Sequence, residues 1–266
     1  METTAHPPTH HAATTAPIWR WLAAFSIFGN IGLNYYANAF PLNGQTMGEV
    51  SARYPTLLTP AGYAFSIWGL IFLSLTVYAV WQLLPAQRAV SLPDAVAKPL
   101  TVASVATAGW VVLFAFEQIL PSVAVMLVIL GALIVVYGRA RHRVLGHSAP
   151  RWASIPFGLY LGWISVAATI NITIGLRQLG WQPAENLTVV LTLALLAVVV
   201  SLGLLLSREF RDETMALVVV WALVAIWVAR RAEYPELGWA ALAGAVVVAL
   251  GSFVLASRRR RRAVGV

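Results

Sequence analysis

The sequence of 266 residues contains no cysteine. Disulfides, thiolate nucleophiles, cysteine-ligated zinc and iron–sulfur clusters are therefore excluded. Charge is also scarce. Only 11% of residues are Asp, Glu, Lys or Arg, against about 25% in a soluble globular domain. So few charged groups cannot coat a water-soluble particle of this size, and 59% of the residues are hydrophobic. Lipid must be the solvent for most of the surface. No P-loop, dinucleotide fingerprint or Gly-x-Ser-x-Gly elbow occurs, and no histidine falls inside an apolar run. The chain is read as non-enzymatic, with no required cofactor and no metal site. His6, His10 and His11 lack companion ligands, and His142 and His147 lie in a basic loop, a poor place for a cation.

What is present is a series of long apolar runs. Crossing ~30 Å of hydrocarbon takes about 20 mainly apolar residues. Segments near 19–41, 60–84, 99–119, 121–138, 153–176, 187–207, 214–230 and 236–257 meet that need. The expected fold class is an all-α integral membrane protein with about eight transmembrane helices. Continuous runs, rather than short alternating ones, argue against a β-barrel. Pro41, Pro85, Pro121 and Pro235 read as breaks between runs, since proline disrupts a helix interior. Residues 1–17, rich in Thr, His, Ala and Pro, are expected to form a disordered polar tail, and 258–266 a basic cytoplasmic tail.

The net charge of +8 is carried by short loops and one tail. The basic residues therefore read as topology signals rather than as a nucleic-acid surface. With eight spans, Arg53, Arg177, Arg230 and Arg231 fall outside. The other basic residues, from Arg20 through Arg139 and Arg141 to Arg258–Arg262, fall inside. That asymmetry places both termini in the cytoplasm of a multi-pass protein, with the bacterial inner (plasma) membrane as the expected location. Membrane lipids are expected partners, including anionic head groups at the arginine tail.

The polar and aromatic residues within the runs are few and patterned. Asn30, Asn34 and Asn38 stand four apart and share one helical face. A buried, unsatisfied amide costs about 1–3 kcal/mol. This face must turn inward, either to bond other helices or to line a ligand cavity. The second run places Phe65, Trp68 and Phe72 near one face; rings there either pack the core or stack on a planar ligand. The third run adds Trp110, Phe114 and Phe116, and the fifth Trp163, Thr169 and Asn171. Glu117, at the edge of the third run, reads as a solvated acid or as a proton site. Leu133, Tyr137 and Arg139 fit a proposed cholesterol-contact pattern. Ala241, Ala245 and Ala249, four apart, suit close helix approach in an internal packing face or a homodimer face.

These aromatic patterns carry a resemblance. Residues 19–176 resemble the translocator protein (TspO/MBR) family, the tryptophan-rich sensory proteins. Pro60, Trp68, Gly69 and Phe72 match its second helix. Tyr160, Leu161, Trp163, Ala167, Thr169 and Asn171 match its fifth in fixed register, and Trp110 and Phe114 match the end of its third. The resemblance implies a five-helix bundle over 18–178; the three additional helices over 186–257 lie outside that unit. It further implies a ligand, a tetrapyrrole such as porphyrin or haem or a sterol-like lipid, held among helices one, two, three and five. Asn30, Asn34, Phe65, Trp68, Phe72, Trp110, Tyr160, Trp163 and Asn171 are then the candidate ligand-binding residues. The chain departs from the family pattern at Thr107, where the family carries Asn, at Ile172, where it carries Tyr, and over 122–136, which holds no acid. A membrane sensor or receptor is the expected function. A transporter of a small apolar or amphipathic solute is the alternative, and a docking role for the last three helices is a third reading.

Overall fold

The computed structural model describes residues 16–263, and the apolar runs appear in it as helices. They are α1 (Ala16–Ala39), α2 (Met47–Arg53), α3 (Ile67–Leu83), α4 (Ser91–Ala115), α5 (Ile119–Leu145), α6 (Ile155–Gln178), α7 (Glu185–Phe210), α8 (Thr214–Arg230) and α9 (Pro235–Ala263). No strand occurs among the described residues. A helix satisfies its own backbone, as a segment in hydrocarbon must. Six of the expected spans have the length and hydropathy to cross a membrane: α4, α5, α6, α7, α9, and α3 with its leading turn. α8 is apolar but has 17 residues. α1 has 24 residues, about 36 Å of helix at 1.5 Å each, and carries the asparagine stripe. The polar tail expected over 1–17, with its histidines, lies almost wholly outside the described residues. α9 runs on to Ala263, so the backbone of Arg258 to Arg262 continues the last helix.

Five helices close into a ring. α1 packs between α3 and α4, α4 against α5, α5 against α6, and α6 returns to α3. The remaining three attach from outside: α8 leans on α6, and α9 packs on α8 and α7. Two glycines permit the α6–α8 contact. A Cβ on Gly158 would meet Thr214 at 3.1 Å, and one on Gly162 would meet Val218 at 2.9 Å. Gly158 and Gly162 thus form a small-xxx-small face on α6, the pattern that lets membrane helices approach closely.

Several sequence expectations are corrected by tertiary contacts. Pro99 lies inside α4 rather than at its start. Its ring removes the hydrogen bond that Ala95 O would accept four residues back. Arg139 of α5 supplies the replacement, with an Nη1 donating to that carbonyl at 2.9 Å. Pro121 sits in the first turn of α5, where proline is tolerated. The break itself falls at Glu117, with φ of 55°. Tyr137 cannot take part in a lipid-facing cholesterol contact, because it is buried with its ring 5.0 Å from Phe210.

Arg20 and Arg141, read as topology signals, are buried clamps. Arg20 grips both carboxylate oxygens of Asp94, at 2.6 and 2.7 Å, and donates to the carbonyls of Gln87 and Val90. Arg141 donates to the carbonyls of Phe210 and Arg211 and to Ser154 Oγ, and stands 3.6 Å from Asp212. It thereby ties α5 to the α7–α8 turn. These contacts define an arginine-rich end of the molecule and a far end opposite it.

Candidate functional site

At the far end, the ring of five helices holds a cavity of about 600 Å³. Its walls are α1, α3, α4 and α6, and α2 lies across it. Asn34, Phe65, Trp68, Phe72, Trp110, Trp163 and Asn171 all line it. Asn38 and Phe114 join them. Asn30 and Tyr160 do not reach the cavity and lie beneath its floor, fully buried.

The aromatic side chains hold one another. Phe65 meets Trp163 edge-on at 5.7 Å. Trp68 lies 5.1 Å from Phe72 and meets Tyr160 edge-on at 5.8 Å. Trp110 stacks on Phe114 at 4.8 Å. Offset and edge-to-face pairs fix ring planes as well as positions. Phe65 belongs to a 3-10 turn, Gly62–Ser66, that leads into α3. That turn is braced by α8: Ala61 N donates to Ala225 O at 3.0 Å, and Trp221 Nε1 donates to Ala64 O at 3.1 Å. Tyr63 packs edge-on against Trp221 at 5.3 Å.

The polar groups are held as firmly. Asn34 Nδ2 donates to both the carbonyl and Oδ1 of Asn30, each at 2.9 Å, and Asn38 Nδ2 donates to Asn34 O at 3.0 Å. Asn34 and Asn38 therefore bond along their own helix, while Asn30 stands beside the Tyr160 hydroxyl of α6. On the opposite wall, Asn171 Nδ2 donates to Ser122 Oγ at 3.1 Å, and Asn171 Oδ1 accepts from Trp110 Nε1 at 3.3 Å. That set joins α4, α5 and α6 at one point. Below it, the hydroxyls of Thr107 and Tyr160 bond each other. The departure at Thr107 thus provides a hydroxyl partner inside the bundle.

The cover of the cavity has no counterpart among the sequence expectations. Thr46, Met47, Gly48, Ser51 and Ala52, in and beside α2, all line it. Thr46 and Glu49 form a capping box that starts α2. At its other end, Glu117 accepts from Arg53 at 2.9 Å and from the Tyr54 hydroxyl at 2.7 Å. Glu117 is therefore the anchor of the cover rather than a merely solvated acid. The Glu49 carboxyl is held below its ordinary value of 4.5, first by the backbone N–H of Thr46 and then by its hydroxyl. A lowered value means the cap is complete above pH 4.5 and is lost as pH falls through the folded-state value. Amide exchange over 47–53, corrected for its intrinsic pH dependence, should rise over that interval in the wild type. In Glu49→Gln it should be faster at neutral pH and lack the pH step. An identical profile in both would remove the capping box from the account.

Comparison with curated proteins and with solved structures gives no match. The family model for TSPO-like proteins matches residues 20–254, which includes the five-helix ring and the three helices beside it. The resemblance carried by the second and fifth helices therefore extends over nearly the whole chain. With its long apolar helices and a match of that extent, this membrane protein belongs to the TSPO-like family.

Proposed function

We propose that the far-end cavity binds a planar amphipathic ligand, a tetrapyrrole such as porphyrin or haem or a sterol-like lipid, and that the protein is a membrane sensor or receptor. The observation that carries this reading is the convergence of Trp68, Trp110 and Trp163, with Phe65, Phe72 and Phe114, on one cavity. Its amides, Asn34 and Asn171, sit on facing walls. Ring faces suit a flat apolar body, and two fixed amides suit its polar edge. Binding, not catalysis, is the proposed role, with no cofactor of the protein's own. The proposed setting is the bacterial inner membrane with both termini in the cytoplasm, following the arginine asymmetry.

Titration of purified protein with protoporphyrin IX tests the proposal. Tryptophan fluorescence should be quenched to saturation, and Trp68→Ala should weaken binding about tenfold or more. Absence of quenching, or an unchanged affinity in the variant, would overturn it.

One observation favours transport as a second reading. Beneath the cavity, Asn30 Nδ2, Ser104 Oγ, Tyr78 OH and Gln82 Oε1 are buried without hydrogen-bond partners. Gln82 Nε2 in turn donates to Arg20 O at 3.2 Å, at the arginine-rich end. Unsatisfied polar atoms spaced along a bundle interior suit a polar path more than a packed core. Uptake of a porphyrin into liposomes that Asn34→Leu abolishes would select this reading over binding alone.

A further inference from the structure

α6 and α7 are consecutive helices joined by a short turn, yet they scarcely touch; α7 packs on α8 and α9 instead. The gap between them is a groove of about 470 Å³. It lies on the other side of α6 from the aromatic cavity: Ile170 and Asn171 face that cavity, while Ile172 and Thr173 face the groove. Five threonines line it, and none offers a free hydroxyl: Thr56 pairs with the Thr59 hydroxyl at 2.9 Å, and the other four bond back to their own helices or the residues just before them. Thr169 donates to Ser165 O, Thr173 to Thr169 O, Thr188 to Ala184 O and Thr192 to Thr188 O, at 2.7–3.1 Å. The walls therefore offer methyl groups and aliphatic side chains rather than hydrogen bonds, so an occupant must be aliphatic along its length.

The mouth of the groove is different. Arg177 and the exposed Trp181 stand there, at the far end of both helices. An Arg177 Nη1 donates to Pro55 O at 2.6 Å, which fixes the guanidinium over the opening. Arg177 makes no ion pair among the described residues. The nearest acid of α7's first turn, Glu185, accepts from the Tyr234 hydroxyl at 3.0 Å. A cation and an indole at the membrane-water boundary, above a deep aliphatic slot, match one molecule in both parts. The phosphate goes to the arginine and the acyl chain to the slot.

We infer that the α6–α7 groove is a binding site for an anionic phospholipid, with one acyl chain between the helices and its phosphate on Arg177. The lipid fills the gap between α6 and α7, where the two consecutive helices scarcely touch, and adds to the contact that α5 makes with the other end of α7. The test is native mass spectrometry of the full chain purified in detergent with phosphatidylglycerol or phosphatidylcholine. The wild type should retain one phosphatidylglycerol through detergent exchange. Arg177→Gln should lose about fivefold of the preference for phosphatidylglycerol over phosphatidylcholine. Ala194→Trp and Ile172→Trp fill the slot from its two walls, and whichever keeps wild-type helix content should retain no lipid. Should both lose helix content, the Arg177→Gln result alone decides. Retention unchanged in a folded filled variant, or equal retention of the two lipids by the wild type, would overturn the inference and leave only exchanging annular lipid. Protoporphyrin titration of the same variants keeps this result separate from the aromatic cavity, because the two sites line different faces of α6.

Discussion

Arg141→Met is expected to destabilise the protein by about 3–5 kcal/mol, the range for removing one partner of a buried ion pair. Two effects combine. Asp212, almost fully buried, loses its counter-charge. The carbonyls of Phe210 and Arg211 lose the guanidinium that caps the end of α7, and helix ends buried without partners are costly. The chain there turns through Arg211 at φ of 52°, a conformation that needs such support. Thermal unfolding in detergent should show a single large drop in midpoint, with proteolysis appearing first near 211–213. Arg141→Met combined with Asp212→Asn should recover part of the loss, because the uncompensated charge is gone while the bare carbonyls remain. If the single variant unfolds like the wild type, the clamp contributes nothing.

Gly162→Leu is expected to part α8 from α6. A Cβ at this position would already stand 2.9 Å from Val218 Cβ, and three further carbons have no place to go. Overpacking a tight interior contact costs about 1–3 kcal/mol. Here the contact also holds three helices onto five, so the effect should exceed that of a local strain. Gly131, on the lipid side of α5, has open space in its place, with no atom within 4 Å of where a Cβ would stand, so Gly131→Leu is the matched control. A cross-link between cysteines placed at Val166 and Ala222, which line one small gap between the paired helices, should form more slowly in Gly162→Leu and normally in Gly131→Leu. Equal rates would mean that the glycine face is not what seats α8.

The membrane class is legible because it follows from composition alone, and the apolar runs fix where helices lie. The cavity lining is legible for a related reason. Indoles and amides cannot face acyl chains at depth, so Asn34, Trp68, Trp163 and Asn171 have to converge. Asn30 and Tyr160 obey the same rule but lie one layer deeper than expected, since burial does not distinguish a cavity wall from the packing under it. What escapes the sequence is either too short or too dependent on partners. α2 has seven residues, below any window sized for a membrane span, although its capping box stands in the sequence as Thr46 and Glu49. Gly158 and Gly162 lie within the fifth run, where the tryptophan and asparagine are the stronger signals. The burial of Arg20 and Arg141 depends on Asp94 and on the α7 carbonyls, which only the tertiary fold brings near. Pro99 sits harmlessly inside a helix because Arg139, on a neighbouring helix, takes over the freed carbonyl.

The bracing of the 3-10 turn by Ala225 and Trp221 has one more consequence. The turn carries Phe65 and delivers Trp68, so the aromatic wall is partly upheld by residues that follow position 186. If a ligand occupies the cavity as proposed, its binding and the seating of the trailing trio are expected to be linked, each shifting the other by the same free energy. A chain cut after residue 178 would not be a smaller version of the same protein; it would be the same cavity with an unsupported doorframe.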